Sequence, residues 1–139
     1  ASWGSRMEVL SDSLQIYRIS PPIFTPPMAD WQQHLLEDDA AITALLGRVQ
    51  TIAVLGIKTA DSGAPAYNVP AYAQRAGFKI HPVPVYYPDV TEILGEPVVR
   101  SIREIGDRVD LVNVFRRPVD IPQHLDDLLA SQPRAVWFQ

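Results

Sequence analysis

Residues 54–77 read VLGIKTADSGAPAYNVPAYAQRAG, and this stretch decides the fold. Apolar residues run into Gly56, a polar loop follows, and a helical pattern begins near Tyr67. Val69, Tyr72, Ala73 and Ala76 recur on one helical face, and Gly77 supplies the usual C-terminal stop. Upstream, Thr51–Leu55 is a short apolar run of the kind that fills a strand buried on both sides. Strand, loop and helix in this order make the first half of a βαβ unit. The G-x-G-x-x-G of dinucleotide-binding loops is missing, because the next two glycines after Gly56 are Gly63 and Gly77.

The same alternation continues outward. Asp38 or Asp39 can cap a helix in which Ile42, Leu45, Leu46 and Val49 repeat at helical spacing. Phe78–Val83 predicts a second strand, Pro97–Val99 a short edge strand, and the residues through Ile105 one or two helical turns. Val109–Phe115 predicts another buried strand, residues 120–131 a helix, and Ala135–Phe138 a last strand. Strands alternating with helices imply right-handed crossovers. The expected fold is therefore α/β: a Rossmann-like, doubly wound parallel sheet of order about 3-2-1-4-5, with Thr51–Leu55 central, in a three-layer αβα stack.

Residues 1–27 look foreign to this pattern. ASWGSR reads as a tag, Leu14–Ile19 could form a strand, and the pairs Pro21-Pro22 and Pro26-Pro27 break any continuation. The segment is expected to be a tag, leader or flexible arm, with the domain spanning 28–139 and opening on an Asp30/Gln33 capping pair.

Composition removes several classes. The 139 residues suit one domain, and the absence of cysteine excludes disulfides and thiolate metal sites. A net charge of −4 gives no general attraction to nucleic acid, and no apolar run reaches the roughly 20 residues that span a bilayer. A cytoplasmic protein without nucleic-acid or membrane partners is expected. No metal spacing, G-x-S-x-G elbow or carboxylate pair stands out, so no catalytic or metal residue is nominated. His34 precedes the core helix, His81 either packs at a strand end or meets a ligand phosphate, and His124 is expected to be solvated beside Asp120 and Asp127. Trp31 and Trp137 are expected to pack.

In a doubly wound sheet, ligands sit beyond the strand C-termini where the strand order reverses. Two loops meet there: residues 56–66 and Arg116-Arg117-Pro118. Gly56 allows close backbone approach, the helix near Tyr67 directs its N–H groups to the mouth, and Lys58, Arg116 and Arg117 add positive charge. This is an anion site in an acidic chain. A dehydrogenase NAD site would place a carboxylate after the second strand, but HPVPVYYP precedes Asp89 there.

The stretches IAVLGIK, AYNVPAYAQRAG, FKIHPVPVYYPDVTEILGEPVVRSIREI, VDLVNVFRRP and AVWFQ, in this order, resemble the small stand-alone CoA-binding proteins of bacteria and archaea. Those are similar to the CoA-binding domain of the succinyl-CoA synthetase α subunit. The resemblance implies that coenzyme A or an acyl-CoA is held by its ADP and diphosphate part. Gly56, Ile57 and Lys58, with Ser62 and Ala64, would hold the phosphates. Pro84, Val85 and Tyr86 would line the adenine and ribose pocket, and Phe115, Arg116, Arg117 and Pro118 would close the far side. The chain departs from the family at Ile57-Lys58, where a small residue and serine are common, and at Pro84, where an asparagine is common. The family also continues beyond Gln139 through a further helix and strand. Without them an exposed sheet edge would invite pairing with a second copy.

Three functions stand against one another at this level. The first is a binding module for CoA with no chemistry of its own. The second is a nicotinamide-dependent oxidoreductase or an acyl-CoA ligase subunit, and the third is an interaction module with a vestigial cleft.

Overall fold

The computed structural model describes residues 7–9 and 35–139. The strand expected at Leu14–Ile19, the Asp30/Gln33 pair, Trp31 and His34 lie outside these residues. In chain order the elements are β1 (Met7–Val9), β2 (Leu35–Leu36), α1 (Asp39–Leu46), β3 (Thr51–Leu55), α2 (Pro65–Arg75) and β4 (Lys79–Val83). They continue with β5 (Glu92–Ile93), β6 (Glu96–Pro97), β7 (Leu111–Val114), α3 (Leu125–Ser131) and β8 (Ala135–Phe138).

One six-stranded sheet runs β2-β1-β8-β7-β3-β4, and its four consecutive strands from β8 to β4 are mutually parallel. The expected order therefore holds for these four parallel strands. Val54 and Ala53 are fully buried at its centre, as an apolar strand covered on both faces requires. Alternate side chains divide into two cores. Ala53, Leu55, Val83, Val112, Val114, Val136 and Phe138 pack with Leu128 of α3 and Ile102. On the opposite face Ile52, Val54, Ile80, Leu111 and Ala135 pack with Leu45 of α1 and Ala73 of α2. The period of two along the strands thus builds the three layers.

α1 begins where its cap predicts, with the Asp38 carboxylate accepting from the Ala41 N–H at 3.1 Å. α2 begins two residues earlier than the apolar periodicity suggests, because Pro65 stands at its first turn, where a missing N–H costs nothing. At the opposite end of the sheet from the α2 N-terminus, the Asp110 carboxylate accepts from the N–H groups of Gln50 and Thr51 and from Arg134. Burial alone would push this carboxyl up, but those donors together hold it below its ordinary value.

Two expectations are corrected. Pro97–Val99 is not the third strand of the sheet. Glu96–Pro97 turns back on Glu92–Ile93 as a separate hairpin, and only the Val99 N–H reaches the β4 edge, at Pro82 O, 3.0 Å. The proline removes the donor that a ladder would need. The helix expected over 120–131 is α-helical only from Leu125. Pro118 and Pro122 lack N–H groups, and two short 3₁₀ turns, Pro118–Asp120 and Pro122–His124, fill the span before it. Of the one or two helical turns expected through Ile105, one forms, as a 3₁₀ turn at Ile102–Glu104.

The β8 edge, expected to be open to a second copy, is paired antiparallel with Met7–Val9, and Leu35–Leu36 pairs beyond it. Part of the segment set aside as tag or arm therefore joins the sheet. This removes the expected basis for a homo-oligomer through that edge. No helix among the described residues is long and apolar enough to cross a membrane.

Candidate functional site

The exits of β3 and β7 meet at the C-terminal end of the sheet. The Gly56 N–H donates to Val83 O at 2.9 Å and the Phe115 N–H to Leu55 O at 2.9 Å, which ties three strand ends together. Gly56 has φ +84°, and a Cβ there would lie 2.5 Å from the Phe115 carbonyl oxygen. The glycine is required by this crossing of two backbones, before any ligand is considered.

Arg116 rises from the β7 exit directly over that turn, its Cδ within 3.2 Å of the position a Gly56 Cβ would take. Its side chain is only 9% exposed. Nε donates to His124 Nε2 at 3.2 Å, Nη1 to the Tyr86 hydroxyl at 3.3 Å, and Nη2 lies 3.9 Å from Asp120. The guanidinium also stands 5.7 Å from the Tyr86 ring centroid, within cation–π range. Tyr86 itself is largely exposed, so its ring and the guanidinium beneath present a flat polar-aromatic ledge at the mouth.

Arg117 behaves differently. Its side chain is 78% exposed and donates to Asp120 at 2.8 Å. That hydrogen bond, ahead of the charges of Arg117 and Arg116, holds the Asp120 carboxyl below its ordinary range despite partial burial. The two arginines expected to act together are thus divided: Arg116 faces inward over Gly56 and Arg117 faces solvent.

The loop from Gly56 to α2 is organised by a proline inside the helix. Pro70 has no N–H to give the Ala66 carbonyl, and that carbonyl accepts instead from the Lys58 N–H at 3.3 Å. Lys58 is therefore pinned to α2 by its backbone, leaving its half-buried side chain to carry the charge. Ile57, nominated for a phosphate, has its side chain in the core and only 1% exposed. Ser62 is engaged within the loop: its hydroxyl donates to Thr59 O at 2.7 Å and accepts from the Ala64 N–H at 3.2 Å. Ala64 caps α2 without a side-chain acceptor; Pro65 has no N–H and the Tyr67 N–H donates to Ala64 O at 2.9 Å, which leaves the Ala66 N–H as the donor of the first turn.

On the other rim, Pro84 is buried, Val85 packs against the core under α3, and Phe115 packs on the α2 side. Pro118 is exposed at the start of its turn. The structure thus gathers Gly56, Phe115, Arg116 and Tyr86 at one mouth.

Two histidine expectations are revised. His124 is not a solvated helix residue: it is half-buried and accepts from Arg116, with burial first and the Arg116 charge second lowering its pKa. His81 sits in the middle of β4, paired with Ala53, and faces the layer of α3. Its Nε2 is buried without a partner among the described residues, and burial lowers its pKa.

Sequence reasoning also missed Pro70 and Arg100, whose guanidinium holds the loop carrying Tyr86. The proline inside a helical pattern was a legible signal. The His124 and Arg100 contacts depend on separations that no local pattern encodes.

Residues 50–139 match the family described as CoA binding domain. An uncharacterized protein of Bacillus subtilis strain 168, YneT, is 34% identical over 100 residues, covering 72% of this chain and 71% of that protein. Among solved structures, cell-free ID.343 from Thermus thermophilus superposes with a TM-score of 0.62 at 36% identity, covering 69% of this chain and 70% of that one. Prb, a protein redesigned for binding, superposes with a TM-score of 0.65 at 26% identity, covering 73% and 69%.

Proposed function

The chain belongs to the CoA-binding domain family, and from that premise we propose that it holds coenzyme A or an acyl-CoA by the ADP and diphosphate part at this mouth, without chemistry of its own. The observation that carries the reading is Arg116, nearly buried over the Gly56 turn and beneath the Tyr86 ring, where the exits of β3 and β7 meet. A guanidinium so placed can turn its fork to phosphate oxygens while the stacked tyrosine receives a planar base.

The N-terminus of α2 brings the Ala66 N–H and the positive end of the helix dipole to the same side. Lys58, held beside it through Ala66, adds a cation. Ile57 contributes backbone at most, since its side chain belongs to the core. Pro84 and Val85 form the stiff wall under the base, and Phe115 the floor. Arg117 and Pro118 stand at the outer rim. The ligand lies across the sheet end as a tethered polyanion, and the protein's role is capture in a cytoplasmic pool.

Isothermal titration with CoA, 3′-dephospho-CoA and NADH tests this. Saturable binding of CoA, weakened for the dephospho form, is the expected result. Saturable NADH binding with no response to CoA would replace the reading with the oxidoreductase alternative. No response to any of the three would leave only the interaction module.

A further inference from the structure

The loop that carries Tyr86 is bent in a way its residues do not favour. Tyr87 has φ +63°, a left-handed conformation that a bulky L-residue adopts only when its surroundings impose it. What imposes it is visible. The Arg100 guanidinium donates to four carbonyls around the bend: Tyr86 O at 3.3 Å, Tyr87 O at 3.0 Å, Pro88 O at 3.2 Å and Val90 O at 2.8 Å. Nη1 makes the first of these contacts and Nη2 shares its two hydrogens among the other three. The flat fork thus spans the arc with two nitrogens where an ammonium has one.

Arg100 is itself anchored from behind. The carboxylate of Asp127 in α3 accepts from the Ser101 hydroxyl, from the Ile102 N–H at 2.7 Å and from the Arg103 N–H at 3.0 Å. The contacts therefore close a ring. From α3 they run through Asp127 to the segment after Arg100, through its guanidinium to the 86–90 loop, and through the Tyr86 hydroxyl to Arg116. Arg116 returns the chain to His124 at the start of α3.

The geometry points to Arg100 as the positioning residue of the site: it fixes the left-handed bend at Tyr87 and so holds the Tyr86 ring over Arg116 in the shape that receives the base. This rests on the reading of the mouth as a CoA site, but it assigns a role to a residue that never faces the ligand. Arg100 is exposed, and its side chain contributes nothing to either core. Its removal should loosen the rim without unfolding the sheet.

The test pairs Arg100→Ala with Arg100→Lys in the full chain. Three readouts are needed: thermal melting, amide hydrogen exchange across residues 85–90, and calorimetry with CoA, adenosine 3′,5′-bisphosphate and 4′-phosphopantetheine. For Arg100→Ala the melting temperature should stay within about 2 °C, as for a surface change, while exchange at 85–90 rises. If the freed rim holds its binding shape about a tenth of the time, the dissociation constants for CoA and the bisphosphate each rise about tenfold. Arg100→Lys should fall between, because one ammonium can satisfy only part of the carbonyl arc. Any response to phosphopantetheine should be unchanged, since that fragment lacks the base.

Unchanged exchange at 85–90 in Arg100→Ala overturns the proposal. Raised exchange with unchanged CoA affinity overturns it too, because the loop would then be clamped without serving the ligand. If the unmodified protein ignores CoA while the exchange still rises, the clamp stands as a structural fact. The CoA reading then falls by itself, and the positioning role with it.

Discussion

Gly56→Ala isolates the contact on which the mouth is built. An ideal Cβ at this position lies 2.5 Å from Phe115 O and 3.2 Å from both Phe115 C and Arg116 Cδ. The first of these is a backbone atom inside a sheet and cannot swing away. The φ of +84° adds a conformational cost that only glycine escapes. A left-handed backbone costs an L-residue about 1–2 kcal/mol, and overpacking against a fixed group adds about 1–3 kcal/mol. Gly63→Ala is the matched control, with φ +63° and nothing within 4 Å of the new methyl. It bears the backbone cost alone, and in both variants alanine also stiffens the unfolded chain, which returns roughly 0.4–1 kcal/mol.

The difference between the two variants is then the crowding alone, about 1–3 kcal/mol. At roughly 4 °C per kcal/mol for a chain of this size, Gly56→Ala should melt about 4–12 °C below Gly63→Ala. Calorimetric or circular-dichroism melting of both variants beside the parent decides it. Equal melting temperatures would show that the β3 and β7 exits do not press together as described, and the site assembled on that crossing would lose its foundation.

Other consequences separate the neighbours. Arg116→Ala should weaken CoA binding by roughly 10- to 100-fold, the size of a lost charge-assisted hydrogen bond, whereas solvent-facing Arg117→Ala should change it less than about threefold. Titration calorimetry reads both, and equal losses would refute the division between them. His124 accepts from Arg116 only while its Nε2 is unprotonated, and its folded pKa lies below the ordinary 6.5. The unfolded chain therefore takes up the proton first. Stability is whole above about pH 6.5 and declines as pH falls from there through the lowered folded value. Urea midpoints from pH 7.5 to 5 should show this decline reduced in His124→Gln, though not abolished, since burial lowers the His81 pKa in the same direction. Identical slopes would contradict it. Asp127→Asn should cost about 1–3 kcal/mol by denaturant titration, because it removes the charge that receives Ser101, Ile102 and Arg103, while exposed Asp126→Asn should be nearly silent.

The core of the fold was legible because its signals are local. The runs Thr51–Leu55 and Ala135–Phe138 are strands with the expected bounds, and the alternation of strands and helices carries the order of the four parallel strands. Prolines were the main source of error. Pro97 kept its segment out of the ladder, and Pro118 and Pro122 shortened α3, because a missing N–H acts at one residue while apolar periodicity averages over many. Met7–Val9 could not be read as a strand of the sheet, since its partner Ala135–Trp137 lies more than a hundred residues away.

The site divides in the same manner. Gly56 and Arg116 could be named from the strand exits, because topology sends parallel strand ends to one mouth, whereas Phe115 and Tyr86 were named through the resemblance to the CoA-binding proteins. The tertiary structure alone decided which cation turns inward. Arg116 and Arg117 are adjacent and chemically identical, and they differ only because one exits β7 over a glycine and toward Tyr86 and His124 while the other meets solvent and Asp120. Sequence by itself determined the layers and the mouth, since hydrophobic period and connection order are properties of neighbouring residues. The partners of each charge were left to the fold, because hydrogen bonds between residues 10 to 30 positions apart exist only once the backbone has closed around them.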